Sequence, residues 1–300
     1  MTRGSDEHST DSAVDPPSAP ALSAWGQLLQ QAFVAGGDVV ARWTRLEYHV
    51  PETLPEPPAL IVANHGFGGI FDLNAFVLAT LANRLCPPEN RSVTILTHQL
   101  AWTLGVGYLL EPAGFRPAGR DAATEALAAG QYVIVLPGGD LDASKSFAHR
   151  NEIVFGGRSG FARLAQEAQV PIVPVVISGA GETALVLDDG QRLAARLGLP
   201  RLTRMKTLPI SLSIPYGLSI GVAGMLPYFP IPAKMRAAIL DPIEARADEP
   251  ADGLARRVEA EMAAALKELT DDRLPVIGLS WSELLGSFSR GSPQHEPPVT

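Results

Sequence analysis

The strongest constraint on the fold is a set of three short runs of β-branched and other apolar residues, each followed closely by glycine. These runs are Ala59–Ala63, Val133–Leu136 and Val170–Ile177, and their length and composition predict buried strands. Residues 121–129, between the first two runs, and residues 160–168, between the last two, have helical patterns. Because strands that alternate with helices build layered α/β domains, the sequence predicts an α/β fold.

A histidine and an aspartate follow the first predicted strand. His65 stands at the expected C-terminal end of that strand, and Asp72 comes later in the same glycine-rich segment. An imidazole can accept a hydroxyl proton near pH 7, and a nearby carboxylate fixes its tautomer and stabilises the imidazolium. The intervening glycines suit a tight turn and close backbone approach. The pair therefore predicts a general base, the alternative being that His65 caps a helix and Asp72 is a solvated surface acid.

Other turn-rich segments follow in a characteristic order. Residues 114–121 carry Arg116 and Arg120, the second run ends in Pro137-Gly138-Gly139-Asp140, and the third contains a Val-Pro-x-x-Pro pattern over 170–174. These blocks, within residues 46–242, resemble the glycerolipid acyltransferase superfamily, which includes the lysophosphatidic acid acyltransferases. The chain is most similar to the branch with a Pro-Gly-Gly block, which includes diacylglycerol-acyltransferase-like proteins.

Two positions depart from the pattern of that superfamily. Six residues separate His65 from Asp72, whereas the common family pattern has four. Gly138 replaces the glutamate of the family's Pro-Glu-Gly block, and Asp140 follows two residues later. In the usual enzymes that block is thought to help hold a glycerol phosphate, so its change weakens the case for a phosphate on the acceptor.

The resemblance implies a fold, a reaction and its co-substrate. The fold would be a central mixed, largely parallel sheet flanked by helices, as in glycerol-3-phosphate acyltransferases, with an apolar membrane-contacting segment. His65, oriented by Asp72, would activate the hydroxyl of a lysophospholipid, another glycerolipid or a lipid alcohol. That oxygen would attack the thioester of acyl-CoA or an acyl-carrier protein. The chain would thus be an O-acyltransferase of lipid metabolism that needs no cofactor or metal, only the acyl donor as co-substrate.

The resemblance also implies substrate-binding residues. Arg120, and as second choice Arg116, would hold an anionic group of the acceptor or of CoA, although arginines after turns are more often surface residues. Residues 137–140 and Arg158 would lie near the site, although Asp140 and Arg158 could equally form a structural ion pair. Glycine N–H groups near 68–69 or 138–139 could stabilise the oxyanion.

Composition argues against some classes of protein and indicates how the chain is organised. The net charge of −8 over 300 residues argues against nucleic acid as a partner, because phosphate binding needs a basic face. The single cysteine, Cys86, rules out an internal disulfide and fits a reducing compartment. We expect a disordered leader over 1–21, an acyltransferase domain over 22–275 that ends in a helix over 251–270, and a C-terminal tail over 276–300.

One segment predicts contact with a membrane. Residues 208–233 have no charged side chain but contain five prolines, which a spanning helix would tolerate poorly. We therefore expect an interfacial, hairpin-like segment, next to a basic cluster over 192–206 that anionic lipids would attract. An amphipathic helix over 22–45 would either lie on the bilayer or cover the sheet. The expected location is the cytoplasmic face of a membrane, as a peripheral or monotopic protein.

Two other functions fit parts of the same pattern. A non-catalytic lipid-binding relative with this fold would account for the altered spacing between His65 and Asp72. An esterase or thioesterase would use the same pair to activate water and would release free fatty acid.

Overall fold

The computed structural model describes residues 23–51, 54–67, 72–85, 93–103, 105–202, 206–221, 223, 226–246 and 248–289. The expected leader over 1–21 and Cys86 lie outside these residues. The helices are α1 (Ala24–Trp43), α2 (Leu73–Leu85), α3 (Leu100–Thr103), α4 (Val106–Leu110), α5 (Arg120–Ala128), α6 (Gly139–Ala143), α7 (Gly160–Ala168), α8 (Gln191–Arg196), α9 (Leu199–Leu202), α10 (Ala251–Thr270) and α11 (Trp281–Ser289). The strands are β1 (Glu47–His49), β2 (Ala59–Ala63), β3 (Val93–Thr97), β4 (Phe115–Pro117), β5 (Tyr132–Val135), β6 (Ile172–Ser178), β7 (Leu185–Asp188), β8 (Ile210–Ser213), β9 (Gly217–Ile220) and β10 (Arg236–Ile239).

The main sheet is mixed and largely parallel. Within the described residues it has seven strands in the order β1-β10-β6-β2-β5-β3-β4. Strands β2 to β6 all run in one direction, whereas β10 pairs antiparallel with β6, and β1 pairs parallel with β10. The C-terminal ends of β2, β5 and β6 therefore meet at one edge of the sheet. The predicted α/β fold with a mixed, largely parallel sheet flanked by helices is confirmed.

Apolar side chains on both faces of the sheet form two core layers. Successive residues of β2 face opposite sides: Leu60 and Val62 pack with α5, α7 and α10, whereas Ala59 and Ala63 pack with α2. Every residue of β6 is buried, as expected for an inner strand that helices cover on both faces. The core thus fixes β2, and with it the residues that follow β2, at the centre of the molecule.

Helix α1 packs over α2 and reaches across the sheet. The Phe33 ring contacts those of Phe76 in α2 and Phe115 in β4, with centroids 5.4 Å and 5.1 Å apart. Near the opposite edge, Met235, just before β10, donates its backbone N–H to the Thr44 carbonyl at 3.0 Å. The helix expected over 22–45 therefore packs over the sheet, while contact of its exposed residues with a bilayer stays a prediction.

A smaller sheet contains the charge-free segment. Within the described residues this sheet has the order β7-β8-β9, and β8 and β9 form a hairpin that pairs Ile210 with Ile220. Residues 210–220 thus form a hairpin within the segment expected over 208–233, whereas its contact with a membrane stays a prediction. In the part of the chain that the structure describes, no helix is long and apolar enough to cross a membrane.

The C-terminal segment expected as a tail contains ordered elements. Residues 281–289 form α11, in which Trp281, Leu284 and Leu285 follow helical spacing. Upstream of α11, the Val276 N–H donates to the Glu182 carboxylate at 2.6 Å.

Candidate active site

Asn64 ends the central strand and lets the chain leave the sheet. Its side-chain amide donates to the Ile177 carbonyl at 2.9 Å, and its Oδ1 accepts the Ile177 N–H at 2.8 Å. The Asn64 side chain thus takes the place of a backbone partner for β6. The Asn64 carbonyl in turn accepts a hydrogen bond from the Asn74 side chain at 2.8 Å. Because these groups are buried and paired, the backbone after β2 turns at a fixed position and presents His65 beyond the sheet edge.

The two predicted catalytic residues are in contact. The distance from His65 Nδ1 to Asp72 Oδ2 is 2.9 Å. Asp72 is buried and directly precedes α2, where its Oδ1 accepts the Asn74 N–H at 2.9 Å, an N-cap interaction. A carboxylate only accepts hydrogen bonds, so it requires a proton on Nδ1 and leaves Nε2 of His65 to accept one. The six-residue separation therefore still allows the contact, while the catalytic roles stay a prediction.

Gly66 makes this short contact sterically possible. Its backbone N–H lies 3.2 Å and 3.0 Å from the two Asp72 carboxylate oxygens. A Cβ at position 66 would lie 2.6 Å from the Ala180 Cβ and 2.7 Å from Asp72 Oδ1. Since neither neighbour leaves room for a methyl group, glycine is needed here for the close backbone approach expected from the sequence.

A second buried carboxylate, which sequence reasoning missed, anchors the histidine backbone. The backbone N–H of His65 donates to Asp142 Oδ2 at 2.6 Å. The other oxygen, Oδ1, accepts Lys145 Nζ at 2.6 Å and the Val154 N–H at 3.2 Å. Asp142 lies in α6, which begins at Gly139 of the Pro-Gly-Gly block, and is fully buried. It therefore fixes His65 relative to that block, although nothing in the sequence distinguished it from the neighbouring Asp140.

Replacing Asp142 with asparagine is expected to lower kcat by about 100-fold, since misplacing a catalytic group by about 1 Å has that effect. Both carboxylate oxygens accept N–H donors, so the amide NH2 of asparagine would face a donor whichever way it is oriented. The measurement is kcat and KM, together with thermal unfolding to establish that the protein folds. The exposed Glu152→Gln change is the control, and an unchanged kcat in folded Asp142→Asn protein would contradict the anchoring role.

Tyr228 connects the segment after the hairpin to the histidine loop. Its hydroxyl lies 2.8 Å from Thr183 Oγ1 and 3.3 Å from the Phe67 carbonyl oxygen, and the Tyr228 and Phe67 ring centroids are 5.9 Å apart. Burial raises the pKa of Tyr228 well above its usual value. The neutral phenol is therefore suited to join these segments beside His65, a contact that no local sequence pattern indicates.

The Pro-Gly-Gly turn follows β5, the strand next to β2. The side chain of Arg158 holds this turn through hydrogen bonds. The Arg158 guanidinium donates to the carbonyl oxygens of Pro137, at 3.1 Å, and Gly138, and to Asp140 Oδ1 at 3.0 Å. The second Asp140 oxygen accepts the Lys206 N–H at 2.6 Å. The structural ion pair between Asp140 and Arg158, foreseen as an alternative, is therefore present. Substrate binding by residues 137–140 and Arg158 stays a prediction.

Arg116 and Arg120 are each paired with a glutamate. Arg116 Nη1 lies 2.6 Å from Glu111 Oε1, and Arg120 Nη2 lies 2.5 Å from Glu167 Oε2, and all four side chains are well exposed. Arg116 is on β4, three strands from β2 and hence about 14 Å away across the sheet. The structure thus pairs both arginines locally, not with the His65 loop, and their binding of an anionic group stays a prediction.

Comparisons with known proteins show what the chain resembles in sequence and in fold. A sequence model of the family described as Acyltransferase matches residues 45–178, the range that contains His65, Asp72 and the Pro-Gly-Gly turn. The solved structure of the 1-acyl-sn-glycerophosphate (LPA) acyltransferase PlsC from Thermotoga maritima has a similar fold, with a TM-score of 0.50 and 16% identity. The match covers 82% of each chain.

Relatives from several vertebrates, including mouse and chicken, carry the name "DGAT1/2-independent enzyme synthesizing storage lipids". The Mus musculus protein is 28% identical over 256 residues, which are 85% of this chain and 68% of that protein. The Gallus gallus protein is 27% identical over 201 residues, 66% of this chain, and the chain spans only 58% of its length. The chain is thus similar to the Acyltransferase family over residues 45–178 and to these storage-lipid enzymes, and it shares its fold with the PlsC structure.

Proposed function

We propose that this protein transfers a fatty acyl group from acyl-CoA or an acyl-carrier protein to the hydroxyl of a glycerolipid or lipid alcohol. The observation that carries the proposal is the 2.9 Å contact between His65 Nδ1 and the buried carboxylate of Asp72. This contact directs the second imidazole nitrogen away from Asp72, so Nε2 would serve as the general base.

The reaction would proceed without a covalent acyl-enzyme. His65 Nε2 would remove the acceptor hydroxyl proton while the oxygen attacks the thioester carbonyl carbon, and the Asp72 carboxylate would stabilise the resulting imidazolium. The tetrahedral intermediate would collapse with cleavage of the C–S bond. The thiolate would leave as a free thiol after accepting the proton from His65. Each group thus returns to its starting state in one cycle.

Backbone N–H groups are the proposed oxyanion donors. The Gly68-Gly69 pair lies outside the described residues. In the Pro-Gly-Gly turn, Gly139 donates its N–H to the Leu136 carbonyl at a long 3.4 Å. Arg158 and Asp142 fix the turn beside His65, and the Gly139 N–H would exchange this long bond for one to the oxyanion.

The acceptor is proposed to be a glycerolipid with a free hydroxyl. Support for a neutral acceptor such as diacylglycerol comes from Gly138 at the position of the family's glutamate, and the names of the mouse and chicken relatives refer to storage lipids. An acceptor with a phosphate would instead require a cation, for which Arg120 or Arg116 would have to leave its glutamate. The enzyme is proposed to act as a peripheral protein at the cytoplasmic face of a membrane.

The test is product analysis with labelled acyl-CoA and detergent-purified protein. The acceptors would be lysophosphatidic acid, other lysophospholipids, diacylglycerol and a long-chain alcohol, with His65→Ala protein as the control. Acylated lipid that requires both His65 and an added acceptor would support the proposal and identify the acceptor class. Free fatty acid as the sole product would instead favour a hydrolase, and lipid binding without turnover would favour a non-catalytic relative.

A further inference from the structure

The hairpin of β8 and β9 has the reverse of the pattern expected for a sheet that covers a protein core. Its inward side chains are buried serines: Ser211, Ser213 and Ser219. Its outward side chains are large, apolar and exposed: Leu212 (47%), Leu218 (67%) and Ile220 (54%). Alternating strands of soluble proteins normally place the apolar side chains inward and the polar ones outward. The outward face of this hairpin therefore lacks a partner within the described residues.

These outward side chains form one patch. Leu212 pairs directly with Leu218, so the two side chains are cross-strand neighbours on one face. Ile214 and Phe229 extend the patch, since they are also largely exposed and the Phe229 N–H donates to the Ile214 carbonyl at 2.7 Å. We call the patch of Leu212, Ile214, Leu218, Ile220 and Phe229 the hairpin surface.

The C-terminal end of α1 adjoins the hairpin surface. The indole N–H of Trp43 donates to the Pro230 carbonyl at 2.8 Å, one residue after Phe229. Trp43 and Val39, one turn earlier, are both exposed. A tryptophan with its polar N–H satisfied and its ring exposed beside an apolar patch is well suited to the boundary between lipid and water.

Charge argues for an anionic lipid surface as the occupant. Residues 190–240, which contain the hairpin, include seven Lys or Arg and no Asp or Glu, in a chain with a net charge of −8. Two of the seven, Lys234 and Arg236, pair with Glu47, so the basic character comes from residues 192–206. An apolar patch within a locally basic segment matches a bilayer, which offers acyl chains beneath anionic head groups. Segments 1–21 and 290–300 of the same chain are poorly suited to cover the hairpin surface. They contain no Phe, Trp or Tyr and, besides alanine and proline, their only apolar residues are Met1, Val14 and Val299.

We propose that the hairpin surface and Trp43 dock the protein on an anionic lipid bilayer. Tyr228, next to Phe229, hydrogen-bonds to the Phe67 carbonyl in the histidine loop at 3.3 Å. Docking through the hairpin surface would therefore hold the His65 loop close to the membrane. The delivery of an acceptor lipid to His65 rests on the proposed function, whereas the docking itself does not.

The test is flotation with vesicles of phosphatidylcholine alone or mixed with phosphatidylglycerol. Wild type is expected to float with the mixed vesicles, less so at high salt because screening weakens the basic segment. The Leu218→Thr/Ile220→Thr variant places threonine, which has a high β propensity, at both strand positions. It is expected to lose about tenfold or more in partitioning, through lost apolar burial. Tyr108→Thr/Leu109→Thr, in α4, removes a pair of similar exposure and is the matched control.

Two further readouts separate the alternatives. Turnover of a short-chain, water-soluble acceptor should be unchanged in the Leu218→Thr/Ile220→Thr variant, whereas turnover of a vesicle-bound acceptor should fall. If no acceptor is turned over by wild type, the proposed function fails, and flotation still decides the docking. Equal flotation of this variant and the matched control would overturn the proposal. So would a wild-type dimer that does not float and that this variant converts to a monomer, because a second copy would then cover the patch.

Discussion

Replacing His65 with alanine is expected to lower kcat for acyl transfer by about 10²–10⁴-fold, the usual contribution of a general base. Alanine removes the imidazole, whose Nδ1 lies 2.9 Å from Asp72 Oδ2. The loss should appear in kcat rather than in KM, since the imidazole acts on the hydroxyl proton in the transition state. The measurement is initial-rate kinetics by thiol release and by acylated lipid.

A matched control exists within the same chain. His149 Nδ1 lies 2.8 Å from Glu152 Oε1, so it forms the same kind of pair, but both side chains are more than half exposed. His149→Ala is therefore expected to leave kcat unchanged. Acyl transfer that survives in His65→Ala, or falls equally in His149→Ala, would rule out His65 as the base.

The Asp72→Asn variant tests whether the Asp72 carboxylate sets the tautomer and orientation of His65. The carboxylate accepts N–H groups of His65, Gly66 and Asn74, whereas an asparagine amide would present two N–H donors in the same space. If the amide N–H faces His65, Nδ1 must accept and Nε2 then carries the proton, which is the wrong tautomer for a base. We expect a fall in kcat similar to that of His65→Ala, with KM changed much less.

The strands and helices around the site could be predicted where the apolar pattern of the sequence matches the side chains that the fold buries. The runs Ala59–Ala63 and Val170–Ile177 correspond to β2 (Ala59–Ala63) and β6 (Ile172–Ser178), because inner strands need continuous apolar sequence. The helices expected over 160–168 and 251–270 have those same bounds in α7 and α10. In both helices the apolar stripe packs against the sheet. Burial of that stripe therefore explains both the helical spacing in the sequence and the position of each helix.

The contacts that tie these elements together were not predictable. Asp142 and Asp140 are two residues apart in similar sequence, but one receives the His65 N–H and the other pairs with Arg158. That difference depends on how the segment after β5 is folded back onto the loop after β2, which no local pattern encodes. Likewise, the apolar residues of 208–233 gave no sign of which side of the hairpin they would occupy.

Glu182 is the second position where a single substitution should have a large effect. Glu182 is 1% exposed, and its Oε1 lies 2.5 Å from Arg273 Nη2 and 3.3 Å from Arg150 Nε. Its Oε2 accepts the Val276 N–H at 2.6 Å. Burial lowers the pKa of Arg273, and Glu182 opposes this effect. Glu182 thus joins the segment after β6 to the segments before α7 and after α10, beside the active-site loop.

Glu182→Gln is expected to lower the free energy of unfolding by about 3–5 kcal/mol, because breaking a buried ion pair leaves an uncompensated charge. Urea unfolding followed by tryptophan fluorescence measures the change. The control is Glu167→Gln, which breaks the exposed pair with Arg120 and should cost about 0–1 kcal/mol. Adding Arg273→Met to Glu182→Gln should recover part of the loss, since it removes the stranded charge. Equal costs for Glu182→Gln and Glu167→Gln would show that the buried cluster stabilises the fold no more than a surface pair does.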